Sequence, residues 1–195
     1  IALARAPPAG DVALQAYDDG VRLVLVHELA HVFHLDRSRG VWGALQRVFG
    51  RAPGLFPNAY QPSWVTEGIA TYYESRLTTA GRAEGAYHSQ LLASGTRSPW
   101  DALLFTRWPA GLTPYAYGSR FYEYLSENAR AGDSVAPRFI EATAGQLIPF
   151  RVGRPLRRTG VELETSWNSA VQGAAPPCLV TTSRDRKSTR LNSSH

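Results

Sequence analysis

The chain has 195 residues, of which 44% are hydrophobic and 19% charged. That is enough for one domain with a core and short for two. No apolar run approaches the roughly 18 residues needed to cross a bilayer, and one cysteine, Cys178, cannot form an internal disulfide. The formal charge is +5, but residues 184–195 hold four basic groups and one acid, which is +3 of that total. The remaining +2 does not indicate a nucleic-acid-binding protein.

The C-terminal segment differs in composition from the rest of the chain. Lys187 is the only lysine, and in residues 1–186 every Lys or Arg position is an arginine. We expect residues 173–195 to form a disordered tail whose sequence is typical of translated sequencing-adapter read-through, with a natural basic tail as the alternative. The chain contains no methionine, which predicts that Ile1 is not a translation start and that the chain is truncated at its N-terminus. Residues 1–172 are predicted to form one domain.

The predicted elements are mainly helices, with at most a short strand at residues 12–14. In chain order, helices are predicted over about 19–35, 41–49, 63–77, 98–105, 116–130, 135–145 and 160–172. Ser63 and Ser98 are expected to cap their helices. Residues 78–85 are predicted to be a loop.

The first helix contains two histidines four residues apart, in the sequence HELAH at residues 27–31. On a helix such residues lie about 40° apart and about 6 Å along the axis, so His27 and His31 can reach one zinc ion. Glu28 lies about 100° round from His27, where its carboxylate can reach a metal-bound water. This HExxH pattern is typical of a zinc site with the glutamate as general base. The alternative is a helix that simply buries satisfied histidines.

His34 is not expected to be a ligand. It lies about 10.5 Å from His27 along the axis, too far to share an ion whose bonds are about 2 Å long. We expect it to interact with the carbonyl end of the helix or to pack in the core. An extended metzincin motif would need a histidine at the position of Arg37 and is therefore excluded.

A third ligand is expected from the helix over 63–77. Glu67 lies near its start, and Gly68 lets another backbone come close. With the two histidines, Glu67 would give the three protein ligands and one open position of a catalytic zinc; the alternative is a solvated acid in a first turn. Thr71 and Glu74 lie on roughly the same face, and either could orient a ligand imidazole.

The sequences HELAH and WVTEGIATYYE together resemble the gluzincin metallopeptidases, and most closely the peptidase-MA-like domains found in bacteria alone or fused to TolB-like β-propellers. The similarity covers about residues 15–170. It implies a mainly α (α+β), zincin-like catalytic domain whose upstream β-sheet is largely missing from this chain. It also implies one zinc ion held by His27, His31 and Glu67, with Glu28 as catalytic acid/base. An extracytoplasmic location and a C-terminal β-propeller in a longer protein are further implications.

The function expected from these features is zinc-dependent hydrolysis of peptide bonds in a peptide or protein substrate. The oxyanion formed in this reaction needs a positioned donor besides zinc. Tyr117, beside Gly118 and supported by a tyrosine near this point in the resembling family, is the predicted donor. Tyr115 and Arg120 are the alternatives, as is an aromatic pair that packs under the helix. The alternative function is a zinc-binding but proteolytically inactive docking domain of an envelope protein.

Two other segments carry weaker signals. Arg151, Arg154, Arg157 and Arg158 lie within eight residues and could hold phosphate, but a solvated face is the favoured interpretation and no nucleic-acid motif accompanies them. Residues 40–56 mix aromatic residues with arginine. We expect them to form a lid or wall over the cleft rather than to lie on a membrane surface.

Overall fold

The computed structural model describes residues 20–79, 81–95 and 110–174, and within these ranges the chain is helical, with no strand. The α-helices are α1 (Gly20–Leu35), α2 (Gly40–Phe49), α3 (Ser63–Leu77), α4 (Ala86–Ala93), α5 (Thr113–Asn128), α6 (Val135–Thr143), α7 (Gly153–Arg158) and α8 (Leu163–Ala174). Short 3₁₀ turns occur at Pro57–Tyr60, Arg82–Glu84, Ala110–Leu112 and Gly132–Ser134.

The mainly helical prediction is confirmed, and α1, α2, α3, α5, α6 and α8 lie within a few residues of their predicted bounds. Helices α4 and α7 were not predicted. The expected cap is wrong in one case, because Pro62 is the N-cap residue of α3 and Ser63 is already helical. The predicted strand at 12–14, the predicted helix at 98–105 and residues 175–195 lie outside the described residues. The zincin-like identity of the fold stays a prediction.

The core lies around α3, α5 and α8. Trp64 of α3 contacts the ring of Phe121 on α5 and the ring of Trp167 on α8, with centroids 5.4 and 4.9 Å apart. All three side chains are almost completely buried. The burial of such large apolar side chains is the main favourable term holding these helices together.

Helices α3 and α5 approach closely at two glycines. A Cβ added at Gly68 would lie 2.6 Å from backbone atoms of Gly118, and a Cβ added at Gly118 would lie 2.2 Å from the carbonyl oxygen of Trp64. Real Cβ atoms do not tolerate such distances, so the approach requires glycine at both positions. The expectation that Gly68 admits another backbone is confirmed.

Helix α1 buries one side against the rest of the fold. Leu23, His27 and His34 are buried on it, whereas Val21, Leu25, Leu29, Val32 and Phe33 are each at least 44% exposed. Among the described helices none has the length and apolar character that crossing a bilayer requires.

Candidate metal centre

Three side chains from two helices converge on one point. On α1, His27 and His31 turn their Nε2 atoms toward each other, 3.1 Å apart. On α3, Oε2 of Glu67 lies 3.3 Å from each of these nitrogens. The three residues form a group that could hold a metal ion. His27 is buried, and His31 and Glu67 are half-buried, so the group opens toward solvent on one side.

The distances between the three donor atoms are those of a tetrahedral site. Zinc bonds to nitrogen and carboxylate oxygen are about 2.0–2.2 Å long, which places two ligand atoms of a tetrahedron about 3.3 Å apart. The observed separations are 3.1, 3.3 and 3.3 Å. A single ion of this size therefore fits between the donor atoms without a change of backbone.

The charges at the group favour a cation. Burial alone would raise the pKa of Glu67, but the hydrogen bonds from His27 and His31 outweigh it and hold the pKa at about 2. Burial likewise would lower the pKa of His27, whereas its hydrogen bonds to Glu67 and Glu74 give a net rise. Arg82 pairs with Glu74, so the ionised carboxylate of Glu67 is the charge that a bound cation would neutralise.

Glu74 orients the first histidine. Its side chain is completely buried, and its Oε2 lies 3.0 Å from Nδ1 of His27. Arg82 Nη2 lies 2.7 Å from the same nitrogen. Because a guanidinium has only donors, Glu74 is the neighbour that can accept a proton carried on Nδ1. With its proton on Nδ1, His27 would have Nε2 free to bind an ion, and a carboxylate behind a ligand histidine usually selects this tautomer.

Arg82 in turn holds Glu74. Its Nε lies 3.0 Å from both carboxylate oxygens of Glu74, and its backbone N–H donates to Oε1 at 3.0 Å. Burial raises the pKa of Glu74, but His27 and Arg82 together lower it below its ordinary value. The segment reaches α3 because Gly81 has no side chain: a Cβ there would lie 2.2 Å from Cα of Ser75.

Tyr115 is the tyrosine that lies at the site. Its ring is nearly parallel to that of His27, with centroids 6.0 Å apart, and the Arg82 guanidinium carbon lies 5.3 Å from its centroid. Burial, together with the charge of Glu67 and a hydrogen bond to it, raises the pKa of Tyr115 to about 12. The phenol therefore keeps its proton and is half-buried beside the ligands.

Tyr117, the predicted oxyanion donor, lies elsewhere. It is completely buried, its hydroxyl donates to the carbonyl oxygens of Leu91, at 3.1 Å, and Gly95, and its ring stacks on Trp167. Residues two apart on a helix point about 200° away from each other, so Tyr115 and Tyr117 cannot both face the metal centre. The prediction for Tyr117 is therefore wrong in its position, and Tyr115, its alternative, is the tyrosine that lies beside the three side chains.

The other sequence candidates divide clearly. Glu28 is half-buried next to the ligands and, among the described residues, has no hydrogen-bond or ion-pair partner. His34 is completely buried, and its Nε2 lies 3.2 Å from Oε1 of Gln61. Of its two expected positions, it therefore takes the one in the core. Thr71 is buried, but its hydroxyl has no described partner. Arg120 bonds Glu123 and faces α8.

Comparison with known proteins finds no match among the family models, the curated proteins or the solved structures.

Proposed function

We propose that the chain is a zinc-dependent peptidase of the gluzincin type. The observation that supports this most strongly is the convergence of His27 Nε2, His31 Nε2 and Glu67 Oε2 from two separate helices, all within 3.3 Å of one another. Two imidazoles and one carboxylate are a common set for catalytic zinc, which keeps a fourth position open, whereas structural zinc prefers four protein ligands.

The residues present fit a zinc ion in their chemistry as well as in their spacing. Imidazole nitrogen and carboxylate oxygen are both normal zinc ligands. The neighbouring imidazoles of His27 and His31 lower the pKa of Glu67 to about 2, so its carboxylate is ionised. Glu74 lies 3.0 Å from Nδ1 of His27 and can accept a proton there, which would leave Nε2 for the ion.

Glu28 is the proposed general acid/base. Bound zinc would polarise a substrate carbonyl and lower the pKa of water to about 7. Glu28 would accept the proton of the attacking water and pass it to the departing amine. The absence of a described hydrogen-bond partner leaves both of its oxygens available for this transfer.

Tyr115 is the proposed oxyanion donor. A donor must hold a proton at the working pH, and the pKa of about 12 ensures this. Its ring centroid lies 6.0 Å from that of His27, which supports a hydroxyl close to the position that a polarised carbonyl would occupy. Removing such a donor from an oxyanion site commonly costs about 10²–10³ in rate.

The function is tested by metal content and hydrolysis measured on the same protein. We expect the purified chain to bind one zinc per molecule, Glu67→Ala to lose most zinc affinity, and the loaded chain to cleave members of a peptide library. Zinc binding without cleavage of any peptide, at a concentration of enzyme that would reveal slow turnover, would favour the inactive docking domain instead.

A further inference from the structure

The loop between α6 and α7 projects apolar side chains into solvent. Leu147, Ile148 and Phe150 are 72%, 39% and 64% exposed, and they follow one another almost directly in the chain. Single exposed apolar residues are ordinary, but a cluster of large ones marks an interaction site.

The loop is held in this shape by hydrogen bonds to its backbone carbonyls, most of them donated by side chains. Nε2 of Gln146 donates to the carbonyls of Pro149 and Arg151, both at 2.9 Å, and the Arg151 N–H bonds the Ile148 carbonyl at 3.3 Å. The carbonyl of Gln146 accepts a bond from Trp42 Nε1 at 2.8 Å. These bonds hold residues 146–151 in a closed turn, and the apolar side chains of this turn are exposed on its outside.

Arginines surround this turn. Arg151, Arg154 and Arg158 line a cleft of about 320 Å³ together with the turn itself. Among the described residues none of them has a carboxylate partner. The sequence from 142 to 161 contains four arginines and no acid, and Glu141 just before it is already paired with two other arginines. The positive charge around the turn is therefore not neutralised.

Helix α2 adds apolar surface next to the turn. The side chain of Trp42 on α2 donates to the Gln146 carbonyl of the turn. The backbone N–H of Arg39, just before α2, donates to the carbonyl of Ala144, just before the turn, at 2.8 Å. No residue of α2 is buried, and Val48 and Phe49 are 75% and 67% exposed.

An anionic bilayer uses every one of these features. A free phosphate would pair with the guanidinium groups but leave the apolar turn unused, and a nucleic acid would need several stacking aromatics where the turn offers only Phe150. At a membrane, apolar side chains enter the boundary between headgroups and acyl chains while arginines contact anionic headgroups.

We propose that this apolar-cationic surface docks the protein on membranes that contain anionic lipids. It consists of Leu147, Ile148 and Phe150 with Arg151, Arg154 and Arg158. The surface is independent of the metal centre and shares no residue with it, so metal-site variants should bind membranes as the unchanged chain does.

The test is flotation of the full chain with vesicles of phosphatidylcholine alone and of phosphatidylcholine mixed with phosphatidylserine. We expect binding only to the mixed vesicles and a decrease as salt increases. Each arginine near an anionic surface contributes about 5-fold in affinity, so Arg154→Glu/Arg158→Glu should lose at least about 25-fold. Leu147→Ser/Phe150→Ser should lose about 10-fold or more, because the apolar insertion is removed.

Matched controls change the same chemistry elsewhere. Arg130→Glu/Arg138→Glu reverses two exposed arginines that do not line the cleft, and Val21→Ser/Leu25→Ser removes exposed apolar side chains from α1; both should bind like the unchanged chain. Circular dichroism verifies that each variant is folded. Equal binding by the loop and control variants would overturn the proposal. An absence of binding to the mixed vesicles would also overturn it. So would vesicle binding that is abolished by inorganic phosphate or single-stranded DNA but is kept by the Leu147→Ser/Phe150→Ser variant.

Discussion

Gly118 of α5 lies directly against Gly68 of α3, and a Cβ on either would overlap backbone atoms of the other helix. Gly68 directly follows Glu67 on α3, and Gly118 lies about one turn after Tyr115 on α5. The close approach of the two backbones is what allows the carboxylate and the phenol to meet. The packing of these two helices therefore also sets the relative positions of Glu67 and Tyr115.

Gly118→Ala should destabilise the protein for this reason. The added methyl would lie 2.2 Å from the Trp64 carbonyl oxygen, so the helices must separate, at a cost of about 1–3 kcal/mol in the free energy of unfolding. The matched control is Gly153→Ala, whose Cβ would meet nothing within 4 Å and should leave stability unchanged or slightly raised. Urea unfolding measures both. Equal stability of the two variants would show that the helices do not pack this closely.

Arg82→Ala should weaken zinc binding although Arg82 is not a ligand. It leaves the buried carboxylate of Glu74 without its main cation, and the orientation of His27 then loosens. Loss of such a carboxylate contact behind a ligand typically costs about 10–100-fold in metal affinity. Glu74→Ala should show a loss of the same size, and competition with a chelator of known affinity measures it.

The control for Arg82→Ala is Arg76→Ala, at a position in the last turn of α3. Arg76 pairs with Asp133 at 3.0 Å, and both side chains are about half exposed or more. Such surface pairs contribute little, so Arg76→Ala should keep the zinc affinity of the unchanged chain. A similar loss in Arg76→Ala and Arg82→Ala would mean that general destabilisation, and not the contact to Glu74, is being measured.

Glu28→Gln should separate metal binding from chemistry. The amide cannot accept the proton of water, so kcat for peptide hydrolysis should fall by about 10²–10⁴, while zinc content stays at that of the unchanged chain. Glu164→Gln, at an exposed position of α8, is the neutral control. Full hydrolysis by Glu28→Gln would remove Glu28 from its proposed role.

The sequence predicts the convergence of His27, His31 and Glu67 because much of the information is local. The four-residue spacing of His27 and His31 already fixes two donor atoms on one helix face, and only the partner helix with Glu67 had to be found. Helix positions are likewise recoverable from periodic apolar residues and Pro/Gly boundaries. The short helices α4 and α7 were missed because they present too few turns for a period to show.

The residues around the ligands are less accessible to sequence reasoning. Arg82 lies in a Gly-containing segment that reads as a plain loop, and only its return to α3 past Gly81 brings it to Glu74. The choice between Tyr115 and Tyr117 depends on the rotation of α5 about its axis, which is set by the contact between Gly68 and Gly118. Such tertiary contacts leave no periodic signal in either segment.

Acid should destabilise the fold between about pH 6.5 and pH 4. Burial lowers the pKa of His34 and of His88 to about 4, so both are neutral when folded. In the unfolded chain they bind protons near their ordinary pKa of 6.5. Between these values the unfolded state holds more protons, so the free energy of unfolding falls as pH falls. The loss approaches on the order of 3 kcal/mol per histidine near pH 4, and above pH 6.5 neither contributes.

His88→Phe tests this assignment. Both ring nitrogens of His88 are buried without a described hydrogen-bond partner, so an apolar ring of similar size loses no bond and cannot be protonated. Urea unfolding of the metal-free chain from pH 7 to pH 4 should show a shallower loss of stability for His88→Phe. An unchanged slope would assign the acid sensitivity to other groups.

Tyr115→Phe and Tyr117→Phe should affect different properties, although each removes a tyrosine hydroxyl and the two positions are only two residues apart. Tyr115→Phe takes a donor from the metal centre, so peptide hydrolysis should fall by about 10²–10³ with zinc affinity and stability nearly unchanged. Tyr117→Phe removes the bonds to the carbonyls of Leu91 and Gly95 in the core, so the free energy of unfolding should fall by about 1 kcal/mol with hydrolysis by the folded protein retained. Measuring kcat and urea unfolding on both variants distinguishes the two roles, and loss of hydrolysis in Tyr117→Phe with full hydrolysis in Tyr115→Phe would contradict the orientation of α5 on which the correction depends.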